Sequence, residues 1–369
     1  MRDPNRALRE PIYQSATFYF ESVEQLEEIM REGARFPKDK TGKYVYTRGS
    51  NPNVRELENL ISSLENSRDS VVFASGMASI TAVALTLLRR GSKILLGTPT
   101  YGDTYVLFND LLTRFGIEVE NYPAHELHKY SGEADMIFVE AVTNPTLRVP
   151  AVDEIEGLIV IDNTFTTPLF YRGLDHAYAV VASLTKFMNG HSDALGGYVA
   201  SNDESFIERL RYTLFLTGAA IDPMASRLIS RGLLTLEHRL KVYDEHAIKL
   251  VEALFDLGYV AYYPLHPEHP DYDIARRLLR GFTGIIAVDA LEERRAREIV
   301  NKLISRGIRL APSFGSPETL VEIPRSLSHA FMSDKQKLSL GITPGLIRIS
   351  LGFKNIEEDV EKIVEAFKS

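Results

Sequence analysis

From Ser70 onward the chain alternates short apolar runs with longer amphipathic ones: "SVVFAS", "MASITAVALTLLRRG", "KILLG", "DTYVLFNDLLTRFG" and "IEVE" follow in that order. Short apolar runs bounded by turn formers read as strands, and the longer runs with three-to-four spacing read as helices. Three further runs, "DMIFVE", "GLIVID" and "AYAVVAS", are apolar along their length. Strands covered on both faces have this look, so the pattern predicts a mostly parallel α/β sheet with helices on either side.

Ahead of this region, residues 1–50 show no sustained periodicity, and "PKDKTGKYVYTRGSNPN" is punctuated by Pro37, Gly42, Gly49 and Pro52. That predicts an arm rather than a domain. After Pro52, the residues Val54, Leu57, Leu60, Ile61 and Leu64 recur at helical spacing, with Asn53 and Glu56 placed as a capping box. Past Gly232, "LLTLEHRLKVYDEHAIKLVEALFDLG" reads as one long helix or two, and "GFTGIIAVDA" and "GLIRISLG" read as strands. The expected organisation is an arm over 1–50, a large domain over 51–231 and a smaller α+β domain over 232–369. The chain shows no internal repeat and no low-complexity tract.

Composition narrows the function classes. The 369 residues exceed one ordinary core, and 25% charged with 44% hydrophobic residues is a soluble globular balance. A net charge of -8 without a Lys/Arg block gives no phosphate-tracking surface, so nucleic acid is not an expected partner. The absence of cysteine removes disulfides, thiolate metal sites and a cysteine nucleophile together. No apolar run approaches the roughly 18–20 residues of a membrane span. The opening "MRDPNRALREPIYQSATFYF" lacks the apolar core of a secretory signal, so the expectation is a cytoplasmic protein without a membrane partner.

Candidate chemistry gathers at strand ends. Lys186 follows the strand-like "AVVAS" at the expected carboxyl edge of the sheet, where open α/β sheets bind ligands. A lone lysine there reads as a snorkelling surface residue, but one with a buried stem loses proton affinity and becomes a Schiff-base nucleophile. Asp162 ends "GLIVID" at the same edge, as a turn or cap residue or as a carboxylate awaiting a cationic partner. In "FASGMASITAV" a strand, a Ser-Gly turn and a helix opening at Gly76 and Met77 offer backbone N–H groups to an anion. No Walker motif and no G-x-G-x-x-G is present. A lysine, a strand-end aspartate and an anion-ready helix start together describe a pyridoxal phosphate (PLP) site.

"SLTKFMNGHSDALGG" closely resembles the signature of the Cys/Met-metabolism PLP enzymes, among them cystathionine γ-synthase, the cystathionine lyases, methionine γ-lyase and the O-acylhomoserine sulfhydrylases. "YTRGSNPN", "FASGMASI", "PTYGDTYVLF", "VEAVTNPTLRV", "IDNTFTTPLF", "SFGSPETLVEIPRSLSHAFM" and "GLIRISLGFKNIEED" resemble further blocks of that family in its order. The resemblance implies a fold type I, aspartate-aminotransferase-like PLP-dependent transferase. Lys186 would carry the cofactor, Asp162 would pair with its pyridine nitrogen, and Ser183, Thr185, Gly76 and Met77 would bind its phosphate. Tyr46 and Arg48 would complete that clamp from a neighbouring subunit, making the site shared in a homodimer; family members are commonly tetramers.

Tyr101 would stack on the cofactor ring and handle protons, and Arg348 would hold the substrate carboxylate as a bidentate fork, with Asn144 and Ser313 orienting. By pattern alone Tyr101 and Arg348 read as packing or surface residues. The bound substrates would be small amino acids. Asp103 stands where methionine γ-lyases carry cysteine, and is a candidate for meeting a distal ammonium group. Pro312 precedes Ser313 where γ-synthases and γ-lyases often carry an acid. The expected reaction is γ-replacement of an activated homoserine ester by cysteine to give cystathionine, with sulfhydrylation or γ-elimination as alternatives and a non-catalytic assembly role as the alternative of another class. "LHPEHPDYD" gathers His266, Glu268, His269, Asp271 and Asp273 but reads as an exposed loop, so no metal is expected, and His191 reads as structural.

Overall fold

The computed structural model describes residues 8–31, 44–130, 132, 134–330 and 332–368. Seven strands form the main sheet: β1 (Asp69–Phe73), β2 (Lys93–Thr98), β3 (Glu118–Pro123), β4 (Met136–Glu140), β5 (Ile159–Asp162), β6 (Ala179–Ser183) and β7 (Gly197–Ser201). Their order is β1-β7-β6-β5-β4-β2-β3. Pairings from β3 through β6 are parallel, and β7 runs antiparallel to both its neighbours.

Alternation along the strands sorts the core into two layers. Val71, Phe73, Ile94, Leu96, Phe138 and Val181 face the helices Gly76–Leu87 and Glu204–Thr217. Val72, Leu95, Ile137, Val139, Ile161 and Tyr198 face the opposite layer, whose core runs on into the C-terminal half. β4 and β5 are buried at every position, as their unbroken apolar character predicts, while β3 has no buried position and forms the polar edge. "DTYVLFNDLLTRFG", expected as one helix, is an α turn that widens over Leu107–Leu111 and tightens over Leu112–Phe115.

β7 is the strand of this sheet that apolar patterning missed, because a polar turn and Gly196 precede it and Gly197 is the first of its five residues. Of the two glycines, Gly197 is required by packing. A Cβ there would lie 2.4 Å from the Ser75 carbonyl oxygen, so its absence lets the start of the helix Gly76–Leu87 sit against the sheet.

A second sheet contains β8 (Val260–Tyr262), β9 (Ile285–Asp289), β10 (Arg309–Leu310), β11 (Leu320–Glu322) and β12 (Leu346–Ser350), in the order β10-β11-β12-β9-β8. β12 is central and antiparallel to β11 and β9, which carries Arg348 into the interior. The helices Leu236–Asp256, Glu293–Ser305 and Ile356–Lys368 belong to this half, and the helix Pro223–Leu233 ends before the first of them begins.

Three local expectations are corrected. The cap of the helix Pro52–Glu65 is Asn51, whose side chain accepts from the Asn53 N–H while Pro52 takes the first helical position. Asn53 instead fastens the arm, accepting from Tyr13 N–H and donating to the Pro11 carbonyl, each at 2.8 Å. The arm itself holds a helix, Val23–Arg31. The histidine-rich loop is not wholly exposed, because Asp271 is buried and forms a bidentate pair with Arg148 at 2.6 and 2.8 Å. His269 is buried beside it, and desolvation holds its pKa down to about 4. No His, Asp or Glu group arranged to hold a metal occurs among the described residues.

Candidate active site

β4 and β5 end in register on Glu140 and Asp162, so two carboxylates stand side by side at the carboxyl edge of the sheet. They line an open cavity together with Lys186 from the turn that follows β6. That turn is fixed from beneath. Gly190, at φ 76°, packs on the Arg239 guanidinium, which donates to the carbonyls of Phe187 at 2.7 Å and Gly232 at 2.9 Å. Asn189 donates to Asp193 at 2.9 Å, so the polar residues after the lysine form the scaffold of its turn.

Lys186 Nζ donates to Ser313 Oγ at 2.8 Å and lies 4.8 Å from the centre of the Phe314 ring. Burial, helped by the charge of Arg348 and opposed by Glu322, brings its pKa down to about 8. A large share of the amine is then neutral near pH 8, the form in which nitrogen attacks a carbonyl.

Asp162 accepts from the backbone N–H of Thr164 at 3.0 Å and from the same residue's hydroxyl, which in turn accepts from Ser183 N–H at 2.9 Å. Burial raises its pKa to about 6 despite those bonds. Glu140 is pushed to about 8, first by burial and then by Asp162, and accepts from the backbone N–H groups of Tyr101 and Asn144 at 2.7 Å each. Glu140 escaped the reading of the sequence although it bears the same mark as Asp162, a carboxylate closing an all-apolar strand.

In the same cavity, Ser75 caps the helix Gly76–Leu87 by accepting from Ala78 N–H at 3.1 Å, so the N–H groups of Gly76 and Met77 lie at the open end of that helix. Ser183 and Thr185 complete this end of the cavity. Gly76 sits so close to β6 that a Cβ would come 2.9 Å from Ser183 Cβ. The cavity is therefore lined by two carboxyl groups, by amide and hydroxyl donors and by a buried lysine. These features fit pyridoxal phosphate, with a basic ring nitrogen for Asp162, a phosphate for the helix start and an aldehyde for Lys186.

The remaining candidates divide by position. Arg348 is buried, donating from Nη1 to Asn144 Oδ1 at 2.9 Å and from Nη2 to the Ser313 carbonyl at 3.2 Å, and pairs with Glu322 at 3.0 Å. The surface reading of Arg348 is thereby corrected: central placement on β12 buries it. Tyr101 stands at the mouth, 37% exposed, and its hydroxyl donates to Asp103 at 2.7 Å. Burial, and next Asp103, hold that phenol above its ordinary pKa. Asp103 is exposed and outside the cavity lining, in contact with Tyr101 instead. Tyr46 and Arg48 do not line this cavity either. Arg48 donates to the Phe215 carbonyl at 2.5 Å and lies 4.0 Å over that ring. His191 is exposed with Nδ1 2.7 Å from the Asn189 carbonyl, also outside the lining.

The sequence matches the family described as Cys/Met metabolism PLP-dependent enzyme over residues 1–368. It is 32% identical to an L-methionine gamma-lyase of Fusobacterium nucleatum subsp. polymorphum, covering 97% of this chain and 93% of the relative. It is 34% identical to a cystathionine gamma-lyase of Bacillus subtilis (strain 168), covering 88% of this chain and 89% of the relative. A solved cystathionine gamma synthase of Xanthomonas oryzae pv. oryzae, in complex with aminoacrylate and cysteine, superposes with a TM-score of 0.88 at 28% identity, covering 99% of this chain and 94% of that one.

Proposed function

This chain belongs to the Cys/Met metabolism PLP-dependent enzymes, and from that premise we propose that it catalyses γ-replacement on an activated homoserine ester, with cysteine as the incoming thiol and cystathionine as product. The observation that carries PLP chemistry at this site is Lys186, a buried amine that donates to Ser313 Oγ at 2.8 Å in a cavity that Asp162 also lines. The likeness in fold to a cystathionine gamma synthase solved in complex with aminoacrylate and cysteine supports replacement over elimination.

Bound pyridoxal phosphate supplies an electron sink that makes the substrate Cα–H acidic. The residues of the chain do the rest. Asp162 keeps the ring nitrogen protonated, and the helix start at Gly76 and Met77 with Ser183 and Thr185 holds the phosphate. Arg348 offers its guanidinium to the substrate α-carboxylate, with Asn144 and Ser313 fixing its plane. Lys186 Nζ takes the Cα proton as a general base. Loss of a proton from Cβ would let the ester's acid leave from Cγ carrying one proton; the thiol sulfur would then bond to Cγ, the thiol proton would replace the one lost at Cβ, and Lys186 would return the Cα proton it took. Tyr101 covers the mouth, where its raised pKa keeps the phenol protonated. Asp103 holds that hydroxyl and offers a negative charge to a distal ammonium group.

The lyase relatives, closer in sequence than the synthase structure, favour γ-elimination as a second reading. The two share every residue above and differ in whether a thiol or water receives the intermediate. Mass spectrometry of products from O-phospho-, O-acetyl- and O-succinylhomoserine, with and without cysteine, separates them. Cystathionine in excess over 2-oxobutyrate is the expected result; oxobutyrate unaffected by cysteine, or capture of sulfide alone, defeats the synthase reading. Within the same proposal, Tyr46 and Arg48 serve the site of a neighbouring subunit in a cytoplasmic homotetramer built of dimers, which a monomeric sedimentation profile of active enzyme would refute. Among the described residues no helix is long and apolar enough to cross a membrane.

A further inference from the structure

The turn that leaves β4 carries Asn144, and its own backbone closes it. Thr143 N–H donates to the Arg148 carbonyl, Leu147 N–H to the Thr143 carbonyl and Arg148 N–H to the Thr143 hydroxyl, each at 2.9 Å. Leu147 is buried at φ 56°, a left-handed backbone that a leucine keeps only where its surroundings impose it. Within this turn Asn144 makes two contacts at once: its N–H donates to Glu140 at 2.7 Å, and its Oδ1 accepts from Arg348 Nη1 at 2.9 Å. A shift of the turn therefore moves the group that fixes the plane of the guanidinium.

Asp271, from the second half of the chain, holds the turn from outside. It stands at the N-cap of the helix Tyr272–Leu278, where an aspartate ordinarily caps its own helix, yet its side chain makes no cap bond. Both oxygens go to the turn instead. Oδ2 accepts from Arg148 Nε at 2.6 Å and from Val149 N–H at 2.9 Å, and Oδ1 accepts from Arg148 Nη2 at 2.8 Å. The backbone of the acid is fixed in turn by His269 Nδ1, which accepts its N–H at 3.1 Å. Asp271 is buried and Arg148 half-buried, so water competes weakly for these bonds. Burial raises the carboxyl, but the bonds from Arg148 and Val149 outweigh it and keep the group an anion, below its ordinary pKa. A planar two-point contact fixes orientation as well as distance, which a turn with a left-handed leucine requires.

We propose that Asp271 is a positioning residue for amino-acid substrates: through Arg148 and Val149 it locks the turn Thr143–Arg148, and so holds Asn144 where it orients Arg348 for the substrate carboxylate. The proposal rests on the reading of Arg348 as the carboxylate fork. It deepens that reading by extending recognition of the carboxylate to a side chain outside the cavity lining. It also gives the histidine-rich loop a task other than metal binding.

The test uses the holoenzyme and L-alanine, which has the carboxylate and lacks a γ-leaving group, with Kd read from cofactor absorbance. Asp271→Asn keeps the size of the side chain and sets an NH2 group where a donor must be accepted. The Kd for L-alanine should rise about tenfold, the KM for the homoserine ester should rise with it, and kcat should stay within about threefold of wild type. In an Asn144→Ala background, Asp271→Asn should change Kd by less than about twofold, because the lock acts through Asn144. A wild-type Kd in Asp271→Asn, whatever its Tm, assigns the acid to stability only and overturns the proposal, and so do effects that multiply in the double variant. If Asp271→Asn does not fold, Arg148→Lys carries the same test. It keeps a cation opposite Asp271 and gives up the second point of contact, so Kd should rise about threefold, and an unchanged value overturns the lock. Arg348→Lys, which leaves Glu322 a cation, separates the two failures. If it weakens L-alanine about tenfold or more while Asp271→Asn is silent, only the lock falls; if it leaves the affinity unchanged, the fork reading fails and takes the lock with it.

Discussion

At the β1 end of the main sheet, Arg55 and Arg211 face Glu58 and Asp69 with all four cross-contacts between 2.8 and 3.0 Å. At the carboxyl edge of β4 and β5, Glu140 and Asp162 stand together without a bonded cation among the described residues. Both clusters are buried, yet they meet desolvation in opposite ways. Burial lowers the Arg211 guanidinium and raises the Asp69 carboxyl, but the opposite charges outweigh it and leave Arg211 above and Asp69 below their ordinary values. In the site nothing outweighs it, so Asp162 rises to about 6 and Glu140 to about 8. One cluster is complete in itself; the other is shaped for something that arrives with a positive charge.

Removing one charge from each cluster should therefore give effects of opposite kind. Asp162→Asn keeps the shape of the side chain but deprives the ring nitrogen of its anion. Activity should fall roughly 10²–10³-fold, in line with breaking a buried charge pair, and cofactor affinity should weaken in parallel when titrated by absorbance. Wild-type activity in this variant would remove Asp162 from the chemistry. Arg211→Met leaves Glu58 and Asp69 sharing a single cation and should destabilise the fold by about 3–5 kcal/mol, read as a lowered Tm, while kcat per folded enzyme stays at the wild-type value.

The comparison sharpens further in cofactor-free protein. An aspartate whose folded pKa lies above its unfolded one penalises the native state at pH above the folded value, because ionising it in the fold is harder than in the open chain. The penalty grows as pH rises from about 4 to about 6 and is absent below that window. The Asp162→Asn apoprotein should therefore be more stable than wild type by roughly 2–3 kcal/mol at pH 8 and no more stable from this cause at pH 3. Scanning calorimetry at the two pH values decides it. A variant that loses activity and gains stability is the mark of a site held under electrostatic tension.

Asp162 and Lys186 could be singled out because one closes an apolar run and the other follows one at the carboxyl edge of the sheet, and both line one cavity. Glu140 carried the same mark, but its partners are backbone N–H groups, and no side-chain motif announces those. Arg348 could not be placed from the sequence. Its partners Asn144 and Ser313 lie 204 and 35 residues away, and only the packing of two sheets brings them together. β7 was hidden by its glycines, which exist to let a helix approach rather than to form a strand. Tyr46 and Arg48 were named through family likeness alone, and their proposed work lies on another copy of the chain. The alternation of apolar runs did predict the parallel sheet, since burial on both faces leaves an unbroken apolar pattern in its central strands β4 and β5.

The smallest expected effect concerns the charge at the mouth. Asp103 accepts the Tyr101 hydroxyl at 2.7 Å, and together with burial it holds the phenol above its ordinary pKa. Asp103→Asn keeps a hydrogen-bond acceptor at that spot and removes the negative charge, so the phenol should ionise at lower pH than in wild type. The tyrosinate absorbance that disappears in Tyr101→Phe identifies the group to follow. Because Asp103 is exposed and solvent screens it, the loss in kcat/KM at pH 7 should be only a few-fold, with a steeper decline on the alkaline side where the ionised phenol accumulates. The Km for cysteine distinguishes the two jobs given to this carboxylate. If it rises in Asp103→Asn, the charge meets the ammonium of the incoming amino acid; if only the alkaline limb moves, Asp103 acts on Tyr101 alone and selectivity for the thiol must come from elsewhere in the cavity.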